Sequence, residues 1–251
     1  MRSLTVLGSC GAWPEAGRAA SGLLLDYDGF RLVLDLGYGT LPRVLQHCAP
    51  EQIDAVVITH EHPDHCADLS ALCRALLFGG GGRRDGGSRV PLYCPPGVLT
   101  RVQAMEPSED LHEVFAARPL PGGGHQLGPF RLDSALLPHH VPHAGIRLAA
   151  PGLTLAYSGD AGPAPALTDL ASSADLLVAG ATLQGDPSPA DADLLLMSAT
   201  QAGTAATLAG ARRLLLTHFW PGSDRSRSVA EARASFAGKV IAAEEGLTLP
   251  L

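Results

Sequence analysis

Short apolar runs alternate along the chain with polar stretches punctuated by glycine and proline, and that rhythm defines the elements it predicts. Residues 3–7 predict a strand ending in a turn at 8–11. Two apolar runs, 22–27 and 30–35, flank Asp28 and Gly29, a dipeptide suited to a two-residue hairpin turn. A helix is expected over 41–48. Residues 53–58 are apolar and β-branched apart from Asp54 and predict a buried strand. Leu69, Leu72 and Leu76 recur at helical spacing, so 66–78 predict an amphipathic helix. Further strands are expected at 90–94, 130–137, 175–179 and 240–243, and helices at 97–105, 164–171 and 228–236. A strand from Leu153 ends in Ser158, Gly159 and Asp160, and another from Leu214 delivers His218. Ser198 is placed to cap an alanine-rich helix running to Ala209. Loops are expected at 79–87, 122–125 and 185–193. No linker or repeat divides the pattern, which predicts one domain over residues 1–251.

Composition narrows the class. With 251 residues, 46% hydrophobic and 17% charged, the chain is globular and can bury a sizeable core. A formal net charge of -7 with 18 Lys+Arg leaves no general basic footprint, so a nucleic-acid partner is not expected. Arg83 and Arg84 form a local basic pair that reads as a solvated loop. The glycines at 79–87 lack a Gly-Lys-Ser/Thr ending, which argues against a phosphate cradle. No apolar run approaches the length of a membrane span and the amino terminus has no signal-like pattern, so a cytoplasmic location is expected. Five scattered cysteines, Cys10, Cys48, Cys66, Cys73 and Cys94, form no CxxC pair and read as free thiols.

The chemistry concentrates in Thr59-His60-Glu61-His62-Pro63-Asp64-His65, directly after the strand at 53–58. In extended chain His60 and His62 point to one side, because side chains alternate. Asp64 and His65 fall where the following helix opens and can turn back to the same point. Asp64 alone could be a helix cap, but the HxHxDH spacing after a buried strand suits the imidazole and carboxylate chemistry of metal sites.

This stretch resembles the metal-binding motif of the metallo-β-lactamase-fold hydrolase superfamily. His139, Val141, Pro142, Gly145 and Arg147 resemble the His-x-Val-Pro-x-x-Gly-x-Arg pattern of its ribonuclease Z and phosphodiesterase branch. That register selects His139 over its neighbour His140 and leaves His143 as a pocket-lining or surface residue. Ser158-Gly159-Asp160 resembles the bridging-aspartate motif, and His218 the last histidine motif. The resemblance implies a four-layered αββα sandwich, two mixed sheets face to face with helices outside. It further implies two metals per chain: one on His60, His62 and His139, the other on Asp64, His65 and His218, with Asp160 bridging. Asp35, at the end of the third predicted strand, is implied as a support for the metal loop. Zinc suits these donors, with manganese or iron as alternatives.

A hydroxide bridging two such metals would attack phosphorus or a carbonyl carbon, with Asp64 orienting it or relaying its proton. The resemblance favours a small phosphodiester substrate. A thioesterase or lactonase, or a metal-binding protein without turnover, are the alternatives, and a homodimer is compatible with any of them. One departure from the branch matters. Where it carries His-Glu-Ala-Thr, this chain reads Ala179-Gly180-Ala181-Thr182, and Leu196 stands at the position of a further histidine. Processing of transfer RNA is therefore not expected, unless His143 or His125 supplies the missing proton donor. Loops at 79–89, 121–128 and 185–197 would shape the substrate pocket.

Overall fold

The computed structural model describes residues 2–79, 88–185 and 188–251. The basic pair Arg83 and Arg84, most of the glycine-rich stretch, and residues 186–187 lie outside the described residues.

Seven strands form one sheet: β1 (Arg2–Gly8), β2 (Gly22–Tyr27), β3 (Phe30–Leu36), β4 (Ala55–Val57), β5 (Val90–Cys94), β6 (Phe115–Pro119) and β14 (Thr248–Pro250). Seven more form the other: β7 (His125–Leu127), β8 (Phe130–Leu136), β9 (Ala144–Ala150), β10 (Leu153–Tyr157), β11 (Leu176–Gly180), β12 (Arg213–Thr217) and β13 (Lys239–Ala242). Their orders are β14-β1-β2-β3-β4-β5-β6 and β13-β12-β11-β10-β9-β8-β7. Each sheet is antiparallel over four strands and parallel over the rest, meeting at β3 in one and β10 in the other.

The continuous apolar runs of the strands follow from burial on both faces. Along β3, Leu32 and Leu34 enter the core shared with the second sheet, while Val33 and Leu36 enter a second core under the helices. That outer core is closed by α1 (Leu41–Val44), α3 (Asp68–Phe78) and α4 (Pro96–Gln103), with the short α2 (Pro63–Cys66) and α5 (Leu111–Val114) beside them. Leu69, Leu72 and Leu76 of α3 are fully buried in it, as their spacing predicts. Over the second sheet lie α6 (Pro165–Leu170), α7 (Ala199–Leu208) and α8 (Arg225–Ser235). Ser198 caps α7 in a reciprocal capping box with Gln201. The result is the αββα sandwich that the resemblance implies.

The structure departs from the sequence reading in several places. The helix expected from 228 starts at Arg225, because Asp224 accepts from the backbone N–H groups of Ser226 and Arg227. The one expected over 41–48 is a single α-turn continued by tighter turns. The loop at 122–125 gives way to β7 at His125, and the expected loop at 185–193 contains a 3₁₀ turn, Pro189–Leu194. Strands β6, β9 and β14 have no counterpart in the predicted pattern. In β6 the last three residues are exposed, so apolar alternation is missing.

Two sets of backbone hydrogen bonds tie the sheets together at one end. Gly11 N–H donates to Phe219 O (2.9 Å) and Phe219 N–H to Ser9 O (2.9 Å). Ala144 N–H donates to Thr59 O (2.9 Å). The functional side chains collect between these ties, beyond the carboxyl ends of the parallel strands, where open sheets generally bind ligands.

Candidate metal centre

Pro63 starts α2 at a position where its missing N–H costs nothing, and the turn it enforces swings Asp64 and His65 inward. His60 and His62 precede it in extended chain. All seven residues singled out in the sequence meet here. Their donor atoms fall into two groups, His60, His62, His139 and Asp160 in one, Asp64, His65 and His218 in the other. His139 comes from the loop between β8 and β9, Asp160 from the end of β10 and His218 from the end of β12. His140, the rival of His139, is exposed and reaches Leu194 O instead, at 3.2 Å.

In the first group His62 Nδ1 lies 3.0 Å from both His60 Nε2 and His139 Nε2. Ligand atoms about 2.0 Å from a tetrahedral zinc would stand about 3.3 Å apart, close to this spacing. Asp160 lies between the groups. Its Oδ2 is 3.5 Å from His139 Nε2, 3.5 Å from His218 Nε2 and 3.8 Å from His65 Nε2, and its Oδ1 is 3.5 Å from His60 Nε2. A buried carboxylate ringed by imidazoles, one oxygen of which has no hydrogen-bond partner, is a site suited to a cation.

The protonation of the first group agrees with that use. Burial pushes the imidazoles of His60 and His62 below their ordinary range, and that of His139 down to about 4. These three rings are therefore neutral near pH 7 and keep lone pairs free. Burial works against charge on Asp64 and Asp160 too, but the surrounding histidines outweigh it and hold both carboxyls well below the usual carboxylate range. His65 is opposed by burial yet raised well above its ordinary value by Asp64, Asp35 and Asp160.

A second layer fixes which nitrogen of His60, His65 and His218 faces inward. Asp35 is fully buried and accepts from His65 Nδ1 (2.7 Å), Tyr157 OH (2.7 Å), Thr59 N (2.7 Å) and Thr59 Oγ1 (2.9 Å). Having donated to Asp35, the Thr59 hydroxyl accepts from His60 Nδ1 at 3.1 Å, which turns Nε2 of His60 to the centre. Asp64 caps no helix; its Oδ2 accepts from Ala12 N–H at 2.7 Å. Asp35 and His218 both sit at φ +57, a left-handed conformation that costs an L-residue about 1–2 kcal/mol and concentrates at functional sites.

Three partners escaped the sequence reading. Ala12 and Tyr157 carry no motif signal. Thr182 was noted only as part of a departure from the branch, yet its hydroxyl holds His218 Nδ1 at 2.8 Å while donating to His218 O at 3.0 Å. Thr182→Val is expected to weaken metal binding about 10–100-fold, as loss of such outer partners does, and Thr182→Ser to retain it. Zinc titration against a chelator reads both; equal affinity in the valine variant would show the hydroxyl to be idle. Arg147, part of the third histidine pattern, lies apart from the centre and donates to Leu170 O (2.8 Å) and Ser172 O (2.9 Å) after α6. His143 is a correction. It is not at the surface but fully buried beside the centre that the other alternative had it line, with Nε2 3.5 Å from Asp160 Oδ1. His125 packs edge-on against Tyr93 instead.

Residues 31–219 match the family model described as the β-lactamase superfamily domain. An uncharacterised protein of Mycobacterium leprae is 34% identical over 257 aligned residues, covering 99% of this chain and 88% of that one. A ribonuclease Z of Kineococcus radiotolerans is 29% identical over 287, covering 94% and 89%. The crystal structure of the metallo-β-lactamase-fold protein YhfI from Bacillus subtilis superposes with a TM-score of 0.88 at 26% identity, over 99% of both chains. The fold, the matched family model and the converging histidines and aspartates agree: this chain belongs to the β-lactamase superfamily of metallo-β-lactamase-fold proteins and is a metal-dependent hydrolase.

Proposed function

We propose that the protein is a binuclear zinc hydrolase acting on a small phosphodiester-type substrate. The observation that carries this reading is the arrangement of two donor groups about the single carboxylate of Asp160. His60, His62 and His139 would hold one metal, Asp64, His65 and His218 the other, with Asp160 shared; manganese or iron would fit the same donors. When bound, such metals make water a competent nucleophile near neutral pH and neutralise charge on the oxygens of the reacting group. The chain's own part is to keep three imidazoles neutral, to aim His65, His60 and His218 through Asp35, Thr59 and Thr182, and to hold Asp64 as an anion. Asp64 Oδ2, fixed by Ala12 N–H, faces the centre and can orient the attacking water.

A phosphodiester is supported by the ribonuclease Z relative and by the resemblance of the His139-to-Arg147 stretch to the pattern of that branch. The substrate enters beside His62, where Glu61, Pro63, Cys66, Arg101, Met105 and Val141 line a cleft of about 300 Å³. Arg101 places a guanidinium there, 3.3 Å from Glu61, and offers a cation to a phosphate.

Transfer RNA is disfavoured as a substrate. The Kineococcus alignment spans 287 positions against 251 residues here, so that enzyme holds inserted residues with no counterpart in this chain. A Cβ on Gly180 would stand 2.8 Å from Gly159 O, leaving no room for the glutamate of the branch. Neither Gly180 nor Leu196 can donate a proton, help that is typically worth about 10²–10⁴-fold for a poor leaving group. A second depression of about 610 Å³ beside His139 is lined largely by apolar residues, among them Leu136, Leu137, Pro142 and Ala164, which favours a thioester or lactone as the second reading.

The zinc-loaded protein is expected to carry about two metals per chain and to hydrolyse a chromogenic phosphodiester faster than a thioester or a lactone. Chelation is expected to abolish turnover, and a precursor transfer RNA to remain intact. Faster turnover of the thioester or lactone moves the assignment to the second reading. Cleavage of the precursor at its 3′ end, at a rate comparable to the small substrate, overturns the exclusion of RNA.

A further inference from the structure

One ring inside the centre is left without a task by the proposed ligand set: His143. Both of its ring nitrogens are buried and have no hydrogen-bond partner among the described residues, and Asp160 Oδ1 is in the same condition. These unpartnered atoms face one another, His143 Nε2 standing 3.5 Å from Asp160 Oδ1. The local sequence builds that approach. His143 O accepts from Leu137 N–H at 3.1 Å, and the next residue, Ala144, donates to Thr59 O at 2.9 Å, so the backbone is pinned on both sides of the ring. Gly159 has φ +59 and lies against the ring; a Cβ there would collide with His143 Nε2.

The two oxygens of Asp160 thus have different surroundings. Oδ2 looks into the space between the donor groups, towards His139, His218 and His65. Oδ1 looks towards His60 and His143. The terminal torsion of an aspartate is broad and roughly two-fold, so nothing within the side chain itself keeps Oδ2 in the shared place.

Resting on the metal reading above, we propose that His143 is a positioning residue for Asp160: its Nε2–H holds Oδ1 and so keeps Oδ2 between the two metals. It is not a ligand, since its nitrogens fall outside both groups of mutually close donor atoms. Approach to Oδ1 rather than to the centre is what separates a holder from a donor. Partners of this kind typically contribute about 10–100-fold to metal affinity.

The test uses the full-length protein and zinc itself, titrated in competition with a chromophoric chelator. His143→Leu removes the donor and His143→Gln keeps one at a similar reach. The leucine variant is expected to bind zinc about 10–100-fold more weakly while still reaching the wild-type stoichiometry at saturation, and the glutamine variant to recover most of the affinity. Melting of the chelated leucine variant is expected within about 4 °C of chelated wild type, which separates lost positioning from lost folding. Three results overturn the proposal: wild-type affinity in the leucine variant, loss of one zinc equivalent at saturation, or a glutamine variant as weak as leucine. Wild-type protein that binds no zinc defeats the metal reading itself, and the proposal with it, while a defect confined to the variants bears on His143 alone.

Discussion

Asp160→Ala is expected to lower bound zinc from about two equivalents per chain to below one and to reduce turnover on the order of 10³-fold or more. The reason is geometric. Asp160 Oδ2 is within 3.8 Å of His65 and within 3.5 Å of both His139 and His218, so one carboxylate serves both donor groups. Removing it also takes away the carboxylate that stands between the buried imidazoles of His60 and His139 on one side and those of His65 and His218 on the other. His139→Ala, by contrast, takes one donor from one group and is expected to retain the second metal. Elemental analysis of the two variants beside wild type distinguishes the cases. Asp160→Ala protein with both metals and full turnover would reduce Asp160 to a turn residue.

The largest loss of stability is expected at Asp35. Asp35→Ala would strand four buried donors, Thr59 N–H, Thr59 Oγ1–H, His65 Nδ1–H and Tyr157 O–H, that have this carboxylate as acceptor. Each orphaned donor costs about 1–3 kcal/mol, and alanine at φ +57 adds about 1 kcal/mol, although such terms are not additive. An overall destabilisation of about 4 kcal/mol is expected, a large part of the 5–15 kcal/mol that typically holds a domain. Asp35→Asn keeps one oxygen and tolerates the left-handed backbone, so about half that loss is expected. Urea unfolding of the chelated proteins reads the difference without interference from metal. An alanine variant within about 1 kcal/mol of wild type would show that the network around Asp35 is slack.

Much of the centre was legible because chemistry and chain position coincide. Four donors lie between His60 and His65, and a strand on one side and a helix on the other settle where they point. His139 could be told from His140 by its register against Val141, Pro142 and Gly145. The helix boundaries were less legible where no apolar rhythm marks them. The arginine- and serine-rich start of α8 shows none, and only the Asp224 cap reveals where that helix begins.

The residues that escaped are those whose role arises from pairing between distant segments. Thr182 reaches His218 because β11 and β12 run parallel and in register, with Gly180 beside Thr217. Ala12 reaches Asp64 because the loop after β1 is stitched to Phe219. His143 read as pocket-lining or surface because an isolated histidine after Pro142 carries no sign of depth; the tie from Ala144 to Thr59 and the bare backbone of Gly159 draw it in.

Through a family resemblance the sequence implied the full donor set and the layered fold; by itself it determined the clustered donors from His60 to His65 and the strand and helix on either side of them. The latter properties are local, written in spacing of two or of 3.6 residues and in the donor chemistry of each side chain. Tertiary structure alone decided which ring nitrogens of His60, His65 and His218 face inward, how the charge of His65, Asp64 and Asp160 is shared, and that Asp160 of the first donor group also stands within 3.8 Å of His65 and His218 of the second. Those are matters of distance and burial among segments up to 154 residues apart, as His218 and Asp64 are, and no spacing along the chain encodes them.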